Sequence, residues 1–168
     1  YIGKLFSLSS NLPQFQKKFP DAKILYMVRD PLSVIPSGLS LVTGVLNKRF
    51  NFWSLNDKVK NRFIKRLYRA LVELLIRFHE DWENGKINKE RVFIVRFDRM
   101  MSEFDILMDS ILDFLNVDKD DELIKEIKIT SEKQRQYKSG HKYDLEKFGL
   151  TENEIRTDCK KIYDTFLT

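Results

Sequence analysis

The sequence predicts an α/β domain, with a parallel sheet and helices on both of its faces. Two observations carry that expectation. Ile24–Val28 is a continuous apolar run, short and rich in strand formers, as in a strand buried on both faces. The charged turn Arg29-Asp30-Pro31 follows at once, then an apolar helical segment from Leu32 to about Leu46. Arg91–Phe97 is a second such run, and mostly helical pattern separates it from the first. That spacing makes the connection a parallel crossover rather than a hairpin. The chain has 168 residues, 42% hydrophobic and 33% charged, which suits one globular domain over 1–168 with a real core.

In order along the chain, residues 1–19 read as a helix, or a turn and a helix, started by Asn11 and Pro13. Leu12, Phe15 and Phe19 face inward. Phe19-Pro-Asp-Ala breaks that helix and leads into the first strand. Pro31 cannot continue a ladder, and it suits the first position of a helix with Asp30 as its cap. Pro36 removes a donor and disfavours helical geometry at Ile35, so the helix is expected to kink there or to start there. Gly44–Asp57 is a looser aromatic stretch, either a packed connector or an aromatic lining on the substrate side.

Asp57 to about Trp82 is the longest periodic segment. Phe63, Leu67, Leu71, Leu74, Leu75, Phe78 and Trp82 recur at steps of three and four. The opposite face carries Lys60, Arg62, Lys65, Arg66, Arg69 and Arg77, which reads as a solvated face or as one that recruits an acidic partner. His79 lies beside the apolar stripe and is expected at the surface or as a cap. Gly85 offers a left-handed end to the helix.

After the second strand, Ser102-x-x-Asp105 reads as a cap for a helix with Phe104, Leu107, Met108, Ile111 and Leu115 inward. Asp118–Thr130 is a short helix, acidic first and basic later, in the sense its dipole favours. Ser131–Phe148 lacks an apolar period and reads as a basic loop interleaved with tyrosines. Thr151-x-x-Glu154 is a capping box. The last helix then buries Ile155, Cys159, Ile162 and Phe166, which makes Cys159 a core residue rather than a nucleophile.

The chemistry concentrates where the first strand ends. A strand, a polar turn and a helix place ligands at the carboxyl end of a parallel sheet. The helix start offers unpaired N–H groups that suit an anion. Arg29 adds a planar, always charged fork suited to phosphate, and Ser37 adds a hydroxyl from the first turns of the helix. A plain capping turn with a solvated Arg29 is the alternative, and the two roles can coexist.

Lys23-Ile-Leu-Tyr-Met-Val-Arg-Asp-Pro-Leu, followed by Ile35-Pro-Ser37, resembles the 3′-phosphate-binding segment of sulfotransferases that use 3′-phosphoadenosine 5′-phosphosulfate (PAPS). The resemblance implies a three-layer αβα, P-loop NTPase-like parallel sheet with a helix-rich C-terminal part. It implies transfer of a sulfuryl group from PAPS to a hydroxyl or amine on a small-molecule, glycan or lipid acceptor. By position, it assigns Arg29 and Ser37 to the 3′-phosphate. In the family a basic loop near the C-terminus closes over the cofactor. That loop corresponds here to the stretch with Arg135, Lys138, His141 and Lys142, although the family's Arg-Lys-Gly pattern is absent. The Tyr-Glu-type pair that ends the family's later strand stands here as Phe97-Asp98.

Other features narrow the field. No Gly-x-x-x-x-Gly-Lys-[Ser/Thr] loop occurs. The resemblance implies that the family's 5′-phosphosulfate loop, and usually its base, lie upstream of the first strand, and neither is visible in this chain. This chain alone is therefore expected to be inactive, and its catalytic base is unassigned. A start at Tyr1 rather than Met suggests a piece of a longer protein. Two histidines and one cysteine make a metal site unexpected. A single cysteine also excludes an internal disulfide and fits a reducing compartment. The expected location is cytoplasmic, or the Golgi lumen if the chain belongs to a longer eukaryotic protein. A net charge of +5 fits an anionic ligand. The rival functions are a nucleotide kinase-like enzyme and a basic module without enzymatic activity that binds nucleotide or nucleic acid. We expect no nucleic-acid partner.

Overall fold

The computed structural model of the chain describes residues 2–4, 8–136 and 144–168. In chain order the elements are α1 (Leu12–Lys18), β1 (Ile24–Val28), α2 (Pro31–Phe50), α3 (Asp57–Glu83), β2 (Val92–Arg96), α4 (Phe97–Ser102), α5 (Phe104–Leu115), α6 (Asp121–Gln136), α7 (Glu152–Asp158) and α8 (Lys160–Phe166). Contacts divide the chain into two compact units. One comprises residues 1–15, 30–87 and 142–168, and the other residues 16–29 and 88–141. None of the described helices is long and apolar enough to cross a membrane.

The second of these units holds the sheet. β1 and β2 pair in parallel, with Ile24 opposite Val92 and Val28 opposite Arg96, as the crossover spacing predicts. Val95 packs with Leu107 and Ile111 of α5, and Phe93, Met100, Met108 and Leu115 close around them. β1 is not buried on both faces. Leu25 and Met27 are 44% and 50% exposed, because the described sheet has two strands and nothing covers the side on which these two residues stand. Nor does Ser102 cap α5. It lies in α4 and donates to the Asp98 carbonyl, and Glu103 takes the cap position without a side-chain bond. α6 runs on to Gln136, past the expected end at Thr130, because Ser131 is buried and donates to Asp105 of α5.

The first unit is built on α2 and α3. Pro31 occupies the first helical position of α2, and Asp30 caps it by accepting from the Leu32 N–H at 2.8 Å. Pro36 is buried inside a helix that continues to Phe50, beyond the expected end at Leu46. A Cβ added at Gly38 would meet Leu71 of α3 at 3.0 Å, so the missing side chain permits a close approach of the two helices. The connector between them is packed. Phe52 is buried and meets Trp53 and Phe63 edge-on, at 5.1 and 5.3 Å between ring centroids. α3 ends as its sequence predicts, with Gly85 at φ +66°.

Two features depart from the sequence reading within this unit. Phe19, in the other unit, is a third. Its ring is 47% exposed because α1 stops at Lys18, one residue before it. His79 is buried, not superficial: its Nε2 lies 2.9 Å from the Thr165 hydroxyl and its ring meets Phe166 edge-on. The C-terminal helix is broken in two. The capping box at Thr151 and Glu154 starts α7, Cys159 leaves helical geometry at φ −104°, ψ 13°, and α8 follows. Ile155, Cys159, Ile162 and Phe166 are all buried, as the stripe predicts.

Candidate functional site

The candidate site is the turn that joins β1 to α2. Arg29 closes the stretch 16–29 of one unit, and Asp30 opens the stretch 30–87 of the other. Arg29 is half-buried at the end of β1. Its guanidinium carbon lies 4.2 Å from the centre of the Phe97 ring, a cation–π contact. Among the described residues no carboxylate forms an ion pair with Arg29, so its charge is not already spent on the protein.

Across the boundary, α2 starts from a tightly held residue. The Asp30 carbonyl accepts from the N–H groups of Ser33 and Val34 at 2.8 and 3.0 Å. Its Oδ1 accepts from the Leu32 N–H and, at 2.6 Å, from the Tyr163 hydroxyl of α8. Burial and this bond to Asp30 push the Tyr163 phenol well above its ordinary value. Ser37 stands half-buried in the second turn of α2, and its hydroxyl makes no hydrogen bond among the described residues. A serine in a helix either bonds back to a carbonyl one turn earlier or points to solvent, and among the described residues Ser37 does not bond back.

Asp98 follows β2 at the start of α4. It does not cap the helix with its side chain. Arg96 grips it in a two-pronged pair at 3.1 and 2.7 Å, and that hydrogen-bonded grip holds the Asp98 carboxyl below the usual range.

The basic stretch is only partly described. Arg135 sits at the end of α6 and pairs with Asp105 at 3.2 Å, where Ser131 also donates. The Asp105 backbone N–H, the Ser131 hydroxyl and Arg135 together hold that carboxyl below its usual range. Lys138, His141 and Lys142 lie outside the described residues. Just beyond, Lys147 lies 4.6 Å over the Trp53 ring, itself beside Phe148. Among the described residues no cluster of His, Cys, Asp or Glu could hold a metal ion.

Sequence reading missed Tyr163 and Phe97 as neighbours of the site's two anchors. Tyr163 lies 133 positions from Asp30, a contact no local spacing announces. Phe97 carries a weak signal, since an aromatic directly after a strand end is well placed to face the neighbouring strand end.

Fold and site together define an α/β protein whose first strand ends on an arginine without a carboxylate partner among the described residues and whose next helix is capped and pinned. The model of the sulfotransferase family matches residues 1–121, and the chain belongs to that family. The crystal structure of a sulfotransferase from Mycobacterium avium has a similar fold, with a TM-score of 0.74 at 21% identity. The match covers 97% of this chain and 41% of that one, so the chain spans less than half the length of its structural relative. No curated protein matches the sequence.

Proposed function

We propose that this chain carries the 3′-phosphate side of the donor site in a PAPS-dependent sulfotransferase. Arg29 and Ser37 hold the phosphate. One observation carries the reading. Arg29 is a half-buried, stacked cation without a carboxylate partner among the described residues, and it directly precedes a helix start. Partial removal from water makes such a cation a favourable place for an anion to join. The resemblance to PAPS-using sulfotransferases, which place an arginine and a serine at these two positions, supports a 3′-phosphate as that anion.

PAPS supplies a sulfuryl group, which passes to a hydroxyl or amine of a small-molecule, glycan or lipid acceptor. The residues of this chain anchor the donor at a point remote from the reacting sulfur. Their contribution is positioning and charge neutralisation. Arg135, Lys138, His141 and Lys142 are proposed as a second group of donor contacts; Arg135 would exchange its bond to Asp105 for one to the ligand. The architecture that goes with this function is a three-layer αβα sheet of the P-loop type, with β1 and β2 as two of its strands. The 168-residue chain lacks the 5′-phosphosulfate loop, so by itself it gives no turnover with PAPS and an acceptor panel.

Calorimetric titration of the intact protein with the 3′,5′-bisphosphate and the 5′-monophosphate of adenosine tests the reading. Loss of a charge-assisted contact costs about 2 kcal/mol, so Arg29→Ala should weaken the bisphosphate by roughly 30-fold. The monophosphate should lose less than about twofold. Equal losses for both ligands would show that Arg29 has no specific role at the 3′-phosphate.

A further inference from the structure

We infer that Tyr163 is a positioning residue for this donor site, acting through Asp30 on the first turn of α2. The inference rests on the reading of Arg29 and Ser37 as phosphate contacts. Asp30 is an acidic residue next to an arginine that has to receive a phosphate, and an ionised carboxylate there repels the ligand. The structure ties that carboxylate down. Oδ1 accepts from the Leu32 N–H at 2.8 Å and from the Tyr163 hydroxyl at 2.6 Å, so two donors draw on the charge of one oxygen and hold it on the helix cap.

Tyr163 is the fixed partner in this contact. Around it the C-terminal helices are fastened to α3 at two further points: the Tyr68 hydroxyl donates to Asp158 at 2.7 Å, and His79 meets the Thr165 hydroxyl at 2.9 Å. Phe166 adds ring contacts to Phe78 and Trp82, both at 5.8 Å. The Arg156 guanidinium lies 5.5 Å over the Tyr163 ring and limits its rotation. α8 therefore presents the hydroxyl from a braced support. Asp30 is held from one side by its own helix start and from the other by Tyr163.

The test reads the ratio of bisphosphate to monophosphate affinity in the intact protein, a quantity that a mere fold brace would not move. Tyr163→Phe removes one neutral donor, so the ratio should fall about fivefold, with the monophosphate unchanged. Adding Asp30→Asn should restore most of the ratio, because an amide still caps the helix but no longer repels phosphate. Asp30→Asn alone should keep the ratio or raise it. A lower melting temperature with an unchanged ratio in Tyr163→Phe overturns the inference, as does a lowered ratio in Asp30→Asn. Arg29→Ala, titrated alongside, separates the two levels. If Arg29→Ala lowers the ratio and Tyr163→Phe does not, the role of Tyr163 fails and the donor site stands. If Arg29→Ala leaves the ratio intact, the donor-site reading fails and takes the role of Tyr163 with it.

Discussion

The chain has two strand-to-helix turns made of the same residue types, and it uses them in opposite ways. After β1, Arg29 stacks on a ring and Asp30 turns away into the cap of α2. After β2, Arg96 and Asp98 close on one another, and α4 starts without a side-chain cap. Pro31 makes the difference. A proline at the first helical position restricts Asp30 to extended geometry, seen at φ −49°, ψ 121°, which aims its carboxylate at the helix start. Without that proline, Asp98 sits one position inside the helix and reaches back to the arginine two residues earlier. An arginine beside an aspartate is thus no sign of a binding site by itself. What matters is whether the aspartate has other work.

The sharpest way to break this contrast is to remove each arginine in turn. Arg29→Ala carries the largest expected effect, the roughly 30-fold loss of bisphosphate affinity given above, whereas Arg96→Ala should stay within about twofold. Arg29→Lys should recover only part of the affinity, since a point charge cannot reproduce the fork. Next come the aspartates, read by urea unfolding. Asp30→Ala removes a helix cap and leaves Tyr163 without its acceptor, and should cost about 1.5 kcal/mol. Asp98→Ala breaks an exposed pair and should cost about 0.5 kcal/mol or less.

Smaller is the effect at Ser37. Ser37→Ala removes a neutral donor and should weaken the bisphosphate about fivefold, with stability unchanged. The smallest effect is a pH dependence. Arg96 holds the Asp98 carboxyl below its ordinary value, so on acidification the unfolded chain takes up this proton first. The stability from the pair is whole above about pH 4 and drains away as the pH falls through the lower folded value. Arg96→Ala should flatten that part of the acid slope, measured by thermal melting from neutral to acid pH, and Arg29→Ala should leave it in place.

Much of the architecture was legible because it rests on local chemistry. The run Ile24–Val28 is a strand with those ends, its partner is parallel, and the capping signals at Asp30, Thr151 and Gly85 all operate. Failures came where tertiary contacts outvote local pattern. Ser131 reads as the start of a loop, yet its bond to Asp105 draws α6 onward to Gln136. His79 looked like a surface residue, yet Thr165 and Phe166 enclose it from the far end of the chain. Pro36 reads as a kink or a late helix start, but α2 is already helical from Pro31; a proline in the second turn forfeits one backbone bond, and the helix bears that loss. At the candidate site, Arg29 and Ser37 can be named from the sequence as candidates. The ring under Arg29 and the phenol that secures Asp30 cannot, because each comes from a distant segment that only folding brings near.

The break at Cys159 has a use of a different kind. It is the chain's single cysteine, fully enclosed where α7 gives way to α8, and burial with the nearby Asp158 and Asp30 carboxylates pushes its thiol up to about 11. A thiol-directed reagent therefore meets no reactive group in the closed molecule. Labelling can proceed only in the moments when the C-terminal helices lift, and its rate counts those moments. The protein thus carries a built-in stopwatch on the segment that holds Tyr163, one that ticks without any engineered probe.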